Sequence, residues 1–254
     1  MLELEDVTVR FGGIMALDSV SLAVEAGIVC GLIGPNGAGK TTLFDVVAGV
    51  RRPNRGRVTL DGRDVSSMSV ANRARRGVRR TFQRVQTFGW LTVEDNVLAA
   101  MEWRAGGGGF VADVLGSPTR TRRERDRRAR VEQTLELCGL TDVRHDHAGS
   151  LPIGRARMVE LARATVEAPK LLMLDEPASG LGEAEAERLG ERIQAVRDDT
   201  GCAVLMVEHD AGFVMRHSDR VVVLDLGRVL VEGSPLEIQT NADVRAAYLG
   251  EVHA

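Results

Sequence analysis

A glycine-rich octapeptide at residues 34–41, GPNGAGKT, constrains the fold of this chain more than any other stretch. It fits the pattern G-x-x-x-x-G-K-[ST], in which glycines let backbone N–H groups converge on phosphate oxygens. SLAVEAGIVCGLI before it is typical of strands. KTTLFDVVAGV after it has apolar residues at helical spacing, which are Leu43, Val46, Val47 and Val50. A strand, a glycine loop and a helix in this order predict a phosphate-binding loop in an α/β sheet.

The lysine of this loop is unusual in this chain. Only two of the 33 Lys and Arg residues are lysines, Lys40 and Lys170. Lysine is a compact charge with rotatable donors, whereas the planar fork of arginine is larger and fixed in geometry. The choice of lysine at position 40 therefore supports phosphate binding, and the hydroxyl of Thr41 is suited to Mg²⁺.

Polar side chains follow two further apolar runs. Asp175 and Glu176 come after LLML, and His209 comes after AVLMVE. The carboxyl ends of parallel strands form ligand sites, so we expect these side chains near the loop. One carboxylate would orient the water shell of a metal ion while its neighbour polarises an attacking water.

The composition limits the class of protein. The 254 residues, 44% hydrophobic and 27% charged, suit a soluble globular protein. The net charge of −3 gives no reason to expect a nucleic-acid partner. The apolar runs are much shorter than the ~20 residues of a membrane-spanning helix, and the acidic start does not resemble a secretory signal. Three widely separated cysteines suggest buried thiols rather than a disulfide or zinc site, namely Cys30, Cys138 and Cys202.

The middle of the chain has a different pattern. Helix and loop predominate from about 92 to 165, with a GGGG run at 106–109 that we interpret as a flexible loop. The stretch RTRRERDRRAR at 120–130 favours a solvated helix face, with contact to anionic lipid or a partner as the alternative. Strand and helix alternation resumes at LLMLD. We therefore predict an α/β protein with a helical insertion.

Taken in order, these motifs resemble the nucleotide-binding subunits of ABC transporters over nearly the whole chain. The resemblance implies one domain, with a RecA-like P-loop core and antiparallel β subdomain at 1–85 and 166–254. A helical subdomain at 86–165 would carry the signature motif. ATP and Mg²⁺ are the implied ligands.

The resemblance also implies roles for particular residues. Phe11 would stack on adenine. The catalytic residues would be Glu176, His209 and Gln83, with Glu176 as the general base. Thr41, Gln83 and Asp175 would surround Mg²⁺. The remaining implied nucleotide contacts are Gly34, Pro35, Asn36, Gly37, Ala38, Gly39, Lys40, Thr41, Thr42, Gly154 and Arg155.

More narrowly, three segments resemble the ATPase subunits of branched-chain amino acid importers. They are GVRRTFQRVQTFGWLTVEDNVLAA, the insertion at 105–130 and the ending GRVLVEGSPLEIQTNADVRAAYLGE. This implies a head-to-tail ATPase dimer, formed with a different ATPase or a second copy. The dimer would drive permease subunits at the cytoplasmic face of the membrane, and an external solute-binding protein would act indirectly.

Three alternatives remain at this point. An ATPase of lipopolysaccharide export is similar, but we expect no such long insertion there. A soluble ABC protein of translation or DNA repair usually has tandem ATPase domains or long coiled coils, which are not seen here. A non-hydrolytic regulatory module is disfavoured because Lys40, Asp175, Glu176 and His209 are all present.

Two positions depart from the family pattern. Pro152, in LPIGR, replaces a serine that would face the partner's γ-phosphate, and proline has neither a hydroxyl nor an N–H donor. Proline does start helices well, and the charge of Arg155 would compensate in part. Gly182 replaces the usual aspartate of the D-loop. We hypothesise that this chain completes the site of a different partner ATPase poorly while its own phosphate loop remains competent.

Overall fold

The computed structural model describes residues 1–101 and 118–249, without the side chains of 118–123 and 247–249. The GGGG run at 106–109 lies outside the described residues. The chain divides into two compact units. The sheet unit comprises Met1–Gln83, Pro169–Ser179 and Arg197–Ala254, and the helical unit comprises Arg84–Ala168 and Gly180–Val196.

Within the described ranges the chain forms ten strands, all in the sheet unit. They are β1 Leu2–Phe11, β2 Ile14–Val24, β3 Val29–Ile33, β4 Arg55–Leu60, β5 Arg63–Asp64, β6 Val78–Arg80, β7 Leu171–Asp175, β8 Ala203–Val207, β9 Arg220–Asp225 and β10 Arg228–Gly233. The helices are α1 Lys40–Ala48, α2 Val70–Arg75, α3 Val93–Ala99, α4 Pro118–Leu137, α5 Ile153–Thr165, α6 Glu183–Thr200, α7 Ala211–His217, α8 Pro235–Thr240 and α9 Ala242–Leu249.

The main sheet has six strands in the order β10-β9-β3-β8-β7-β6. All neighbours in it are parallel except β10, which runs antiparallel to β9. Every residue of β3 and β8 is buried, as the apolar runs of the sequence predict for strands covered on both faces. Because the strands are parallel, β3, β8, β7 and β6 all present their carboxyl ends at the same edge of the sheet.

A second, antiparallel sheet has the order β2-β1-β4-β5. Its β4–β5 pair turns at Asp61 and Gly62, which confirms the hairpin predicted from GRVTLDGRDV. Both Asp61 and Gly62 have positive φ, the conformation that such tight turns require.

Helix α1 follows the phosphate loop as predicted, with one correction at its end. Leu43, Val46 and Val47 are buried, whereas Val50 is 61% exposed. The helix stops at Gly49, which has φ 82° and closes the end with a left-handed cap. Val50 therefore lies beyond the helix, and the prediction that it continues the apolar face was wrong.

The helical unit is built mainly from α3, α4 and α5, which pack on one another. Residues 120–130 lie within α4, and most of 124–130 are exposed, as expected for a solvated helix face. No helix in the described ranges is long and apolar enough to span a bilayer. The three cysteines are buried and free of disulfides.

Candidate functional site

The phosphate loop closes tightly between β3 and α1. Gly34 has φ 152°, and a Cβ atom there would lie 2.1 Å from the carbonyl oxygen of Leu224, so only glycine fits. The carbonyl oxygen of Ala38 accepts a hydrogen bond from the Gly227 N–H at 3.0 Å, which ties the loop to the β9–β10 turn. The loop is thus held by the sheet edge on which it sits.

Lys40 is buried at the centre of this loop. Its Nζ donates to the carbonyl oxygens of Gly34 at 2.5 Å and Pro35 at 2.9 Å. Ala38 is also buried, whereas Asn36, Gly37 and Thr41 are exposed, and Gly39 and Thr42 are half-buried. The loop therefore surrounds the lysine and leaves exposed backbone beside it, an arrangement suited to phosphate.

Asp175 ends β7 and is held by an arginine that the sequence analysis did not single out. Arg80, the last residue of β6, donates to Asp175 Oδ2 at 2.7 Å and to Asp45 Oδ1 at 2.8 Å. Asp45 lies on α1, one helical turn after Thr41. The i,i+4 spacing of Thr41 and Asp45 could have indicated that they share a face, but nothing in the sequence pairs Arg80 with either acid.

Glu176 lies between the two other predicted catalytic residues. Its Oε2 accepts a hydrogen bond from Gln83 Nε2 at 2.7 Å, and its Oε1 lies 2.8 Å from His209 Nε2. Glu176 is only 16% exposed, whereas His209 is 55% exposed. The structure therefore brings Gln83 and His209 each into contact with Glu176, although the three are far apart in sequence.

Phe11 ends β1 and is 42% exposed. The guanidinium of Arg51 lies 4.0 Å from the centre of its ring, a cation–π contact that the sequence analysis missed. The ring is accessible and supported, as an aromatic that stacks on a base would need to be.

The signature segment lies in the helical unit. Helix α5 begins at Ile153, so Pro152 is its N-cap, one position before the place where proline most often starts a helix. Gly154 is buried, and a Cβ atom there would lie 2.6 Å from Glu185 Oε1. The guanidinium of Arg155 pairs with Asp142 at 2.9 Å and donates to the Gly139 carbonyl oxygen at 2.5 Å. Arg155 is thus engaged within its own unit.

The predicted metal ligands suit Mg²⁺ that is bound together with a nucleotide. Within the described part of the chain, no group of three His, Cys, Asp or Glu side chains could hold a metal ion by itself. The hydroxyl of Thr41, the amide of Gln83 and the carboxylate of Asp175 offer single hard oxygen donors. Mg²⁺ is commonly held by one or two carboxylates together with substrate phosphates, so these residues fit it as part of a nucleotide complex.

Comparison with known families agrees with this fold. The model of the ABC transporter family matches residues 17–179. The chain therefore belongs to the ABC transporter family and has the fold of its ATP-binding cassettes. A second model, for branched-chain amino acid ATP-binding cassette transporters, matches residues 228–254.

Individual relatives extend over nearly the whole chain. The high-affinity branched-chain amino acid transport ATP-binding protein BraF of Pseudomonas aeruginosa is 40% identical over 99% of this chain and 98% of its own length. LivG of Escherichia coli, with the same description, is 38% identical over the same shares. The lipopolysaccharide export system ATP-binding protein LptB of Haemophilus influenzae is 30% identical, also over 99% and 98%.

Solved structures confirm the predicted fold class. An ATP-binding cassette of an ABC transporter in its ADP conformation has a TM-score of 0.83 and 28% identity, with 98% of each chain covered. A nucleotide-free ATP-binding cassette from an ABC transporter has a TM-score of 0.81 and 27% identity, again with 98% of each chain covered.

Proposed function

We propose that this chain is the ATP-hydrolysing subunit of an importer for branched-chain amino acids or related small solutes. One observation carries the proposal. The Glu176 carboxylate, held between Gln83 and His209, follows β7 at the sheet edge where the phosphate loop follows β3. A carboxylate fixed in this way is placed to accept a proton from water beside a bound phosphate.

Nucleotide binding is assigned to the loop and to Phe11. Lys40 and the backbone N–H groups of residues 34 and 36–39 would hold the phosphates, with Thr41 and Thr42 at the start of α1. The ring of Phe11 would stack on adenine. Lys40 would exchange its bonds to the Gly34 and Pro35 carbonyl oxygens for bonds to phosphate, and both kinds of acceptor suit an ammonium group.

Mg²⁺, when bound with the nucleotide, would neutralise phosphate charge. Thr41, Gln83 and Asp175 are the residues that would hold it. Arg80 donates to Oδ2 of Asp175, which would fix the orientation of that carboxylate. Glu176 would take the proton from the attacking water while His209 donates to the γ-phosphate.

The partner subunits follow from the same proposal. The core would comprise 1–85 and 166–254, and the helical subdomain 86–165 would carry the contacts to the partner ATPase and the permease. Gly154 would face the partner's nucleotide, and Arg155 would reach it only by exchanging Asp142 for phosphate. We assign the chain to the cytoplasmic face of the membrane, attached to permease subunits, with a different ATPase as the favoured partner.

The choice of solute depends on the relatives. BraF and LivG, at 40% and 38% identity, are named for branched-chain amino acid transport. The match of residues 228–254 to the branched-chain amino acid model supports the same solute class. Lipopolysaccharide export is the second candidate, and the lower identity of LptB, 30%, makes it the weaker one.

The test is magnesium-dependent ATP hydrolysis by the purified transporter, assembled from this chain, its partner ATPase and the permease subunits. We expect Glu176→Gln to lower kcat at least about 100-fold while ATP binding is retained, because general-base catalysis contributes that much. Glu25→Gln, at an exposed position after β2, is the matched control and should hydrolyse ATP like the wild type. Equal rates in the wild type and Glu176→Gln would overturn the role of Glu176.

A further inference from the structure

The turn that carries Glu176 is strained. Glu176 has φ 47°, a left-handed conformation that is unfavourable for a non-glycine residue. Two backbone hydrogen bonds hold the turn. The Glu176 N–H donates to the Val207 carbonyl oxygen at 2.9 Å, and the Ser179 N–H donates to the Glu176 carbonyl oxygen at 3.1 Å. Such a conformation persists only where its surroundings fix it.

A buried side chain adds a third attachment to this turn. Glu208, which directly follows β8, is 4% exposed. Its Oε1 accepts a hydrogen bond from the Ala178 N–H at 2.6 Å, and its Oε2 accepts one from the His209 N–H at 3.1 Å. One carboxylate therefore joins the segment after Glu176 to the segment that begins with His209.

The burial of this carboxylate is costly, which argues for a specific role. Burial raises the pKa of the Glu208 carboxyl, although the two backbone N–H groups act in the opposite direction. A neutral side chain would avoid the cost of burying a charge. A carboxylate, however, can accept from both amides at once, whereas a glutamine has one acceptor oxygen.

We propose that Glu208 is a positioning residue for hydrolysis. By accepting hydrogen bonds from the Ala178 and His209 N–H groups, it fixes the positions of Glu176 and His209 relative to each other. This inference rests on the proposed function. Glu208 touches neither the phosphate loop nor the carboxylate of Glu176 through a direct bond. Its effect should therefore appear in the chemical step rather than in nucleotide affinity.

The decisive variant is Glu208→Gln in this chain, measured in the same assembled transporter. The amide NH₂ would face one of the two N–H donors, so one attachment is lost while the side chain keeps its size. We expect kcat for ATP to fall about 10-fold, with KM and the ADP dissociation constant changed less than about 2-fold. In the Glu176→Gln background the same change should have little further effect on kcat, because the two residues act through one group.

Asp219→Asn is the matched control. The Asp219 carboxylate also accepts a backbone N–H, that of Val29 at 2.8 Å, but at the amino end of β3. This variant makes the same carboxylate-to-amide change at the opposite edge of the sheet. It should lower the melting temperature and leave kcat within about 2-fold of the wild type.

Hydrogen exchange supplies a readout that does not depend on activity. The Ala178 and His209 amides should exchange faster in Glu208→Gln than in the wild type or Asp219→Asn. If Glu208→Gln folds poorly, Glu208→Asp retains the charge but is too short to bind both amides, and the same measurements apply to it. Wild-type kcat in Glu208→Gln, or unchanged exchange at both amides, would overturn the inference. An assembled wild-type transporter that hydrolyses no ATP would instead overturn the proposed function.

Discussion

Arg80 donates to Asp175 at 2.7 Å and, through its other terminal nitrogen, to Asp45 at 2.8 Å. The guanidinium is 17% exposed and lies between the two carboxylates. The planar guanidinium has its N–H donors in fixed directions and therefore sets the orientation of both carboxylates, which the single ammonium group of a lysine would not do. Arg80 thus connects β6, α1 and β7 at the edge of the sheet where the candidate site lies.

Removal of this cation should be costly. We expect Arg80→Met to lower the free energy of unfolding by about 2 kcal/mol, since it leaves two partly buried carboxylates without a partner. Urea denaturation measures the change. Arg128→Met is the control, because Arg128 pairs with Glu124 on the exposed surface of α4 and such pairs contribute less than about 0.5 kcal/mol. Equal losses in the two variants would contradict the assigned role of Arg80.

Arg73 closes the other end of α1. It is fully buried and donates to the carbonyl oxygens of Val46 at 2.6 Å and Val47 at 2.7 Å, both in the last turn of the helix. We expect Arg73→Met to destabilise the chain by about 3 kcal/mol, measured by urea denaturation. Arg75→Met, on the exposed face of α2, should change stability by less than about 0.5 kcal/mol. A mild effect at Arg73 would show that these carbonyl groups find other donors.

Glu160, buried in α5, should make stability depend on pH. Its Oε1 accepts the Gln86 N–H at 2.7 Å. Burial raises the pKa of its carboxyl above the ordinary value, although the Gln86 N–H and Arg157 act in the opposite direction. A carboxyl with a raised pKa contributes most to stability below its unfolded pKa of about 4.3, and that contribution is lost as the pH rises through the raised value.

Glu160→Gln removes this titration. The stability of the variant relative to the wild type should therefore improve between about pH 4 and about pH 7, as measured by urea unfolding at both values. If the difference between the two proteins is the same at both pH values, the raised pKa of Glu160 is excluded.

Pro152 is the position at which the signature can be tested directly. Serine at this N-cap would offer a hydroxyl to the first turn of α5 and to the partner's phosphate, and proline offers none. We expect Pro152→Ser to raise the ATPase rate of the assembled transporter. An unchanged or lower rate would count against the idea that this chain completes its partner's site poorly.

The positions that the sequence predicts best are those that depend on local pattern. Lys40 lies in a loop whose glycines fix its geometry, and Asp175 and His209 come at the ends of apolar runs that suit buried strands. Parallel strands then bring these ends together without further information. The end of α1 was harder to predict from the sequence. Gly49 ends the helix, although Val50 continues the helical spacing of apolar residues.

The residues that were missed depend on pairing between distant segments. Arg80 binds Asp175 because β6 and β7 are neighbours, and Glu208 reaches Ala178 because β8 lies beside β7. Strand order decides both contacts, and no local pattern encodes it. Arg155 illustrates the same limit, since its charge suggests a contact with phosphate while its guanidinium binds Asp142.

The most direct test of the account is affinity purification of this chain from its native membranes, with identification of the proteins that accompany it. We expect to recover two multi-span permease subunits and a second, different ATPase. Recovery of lipopolysaccharide-export components, or of no membrane protein at all, would contradict the assignment to an importer of branched-chain amino acids.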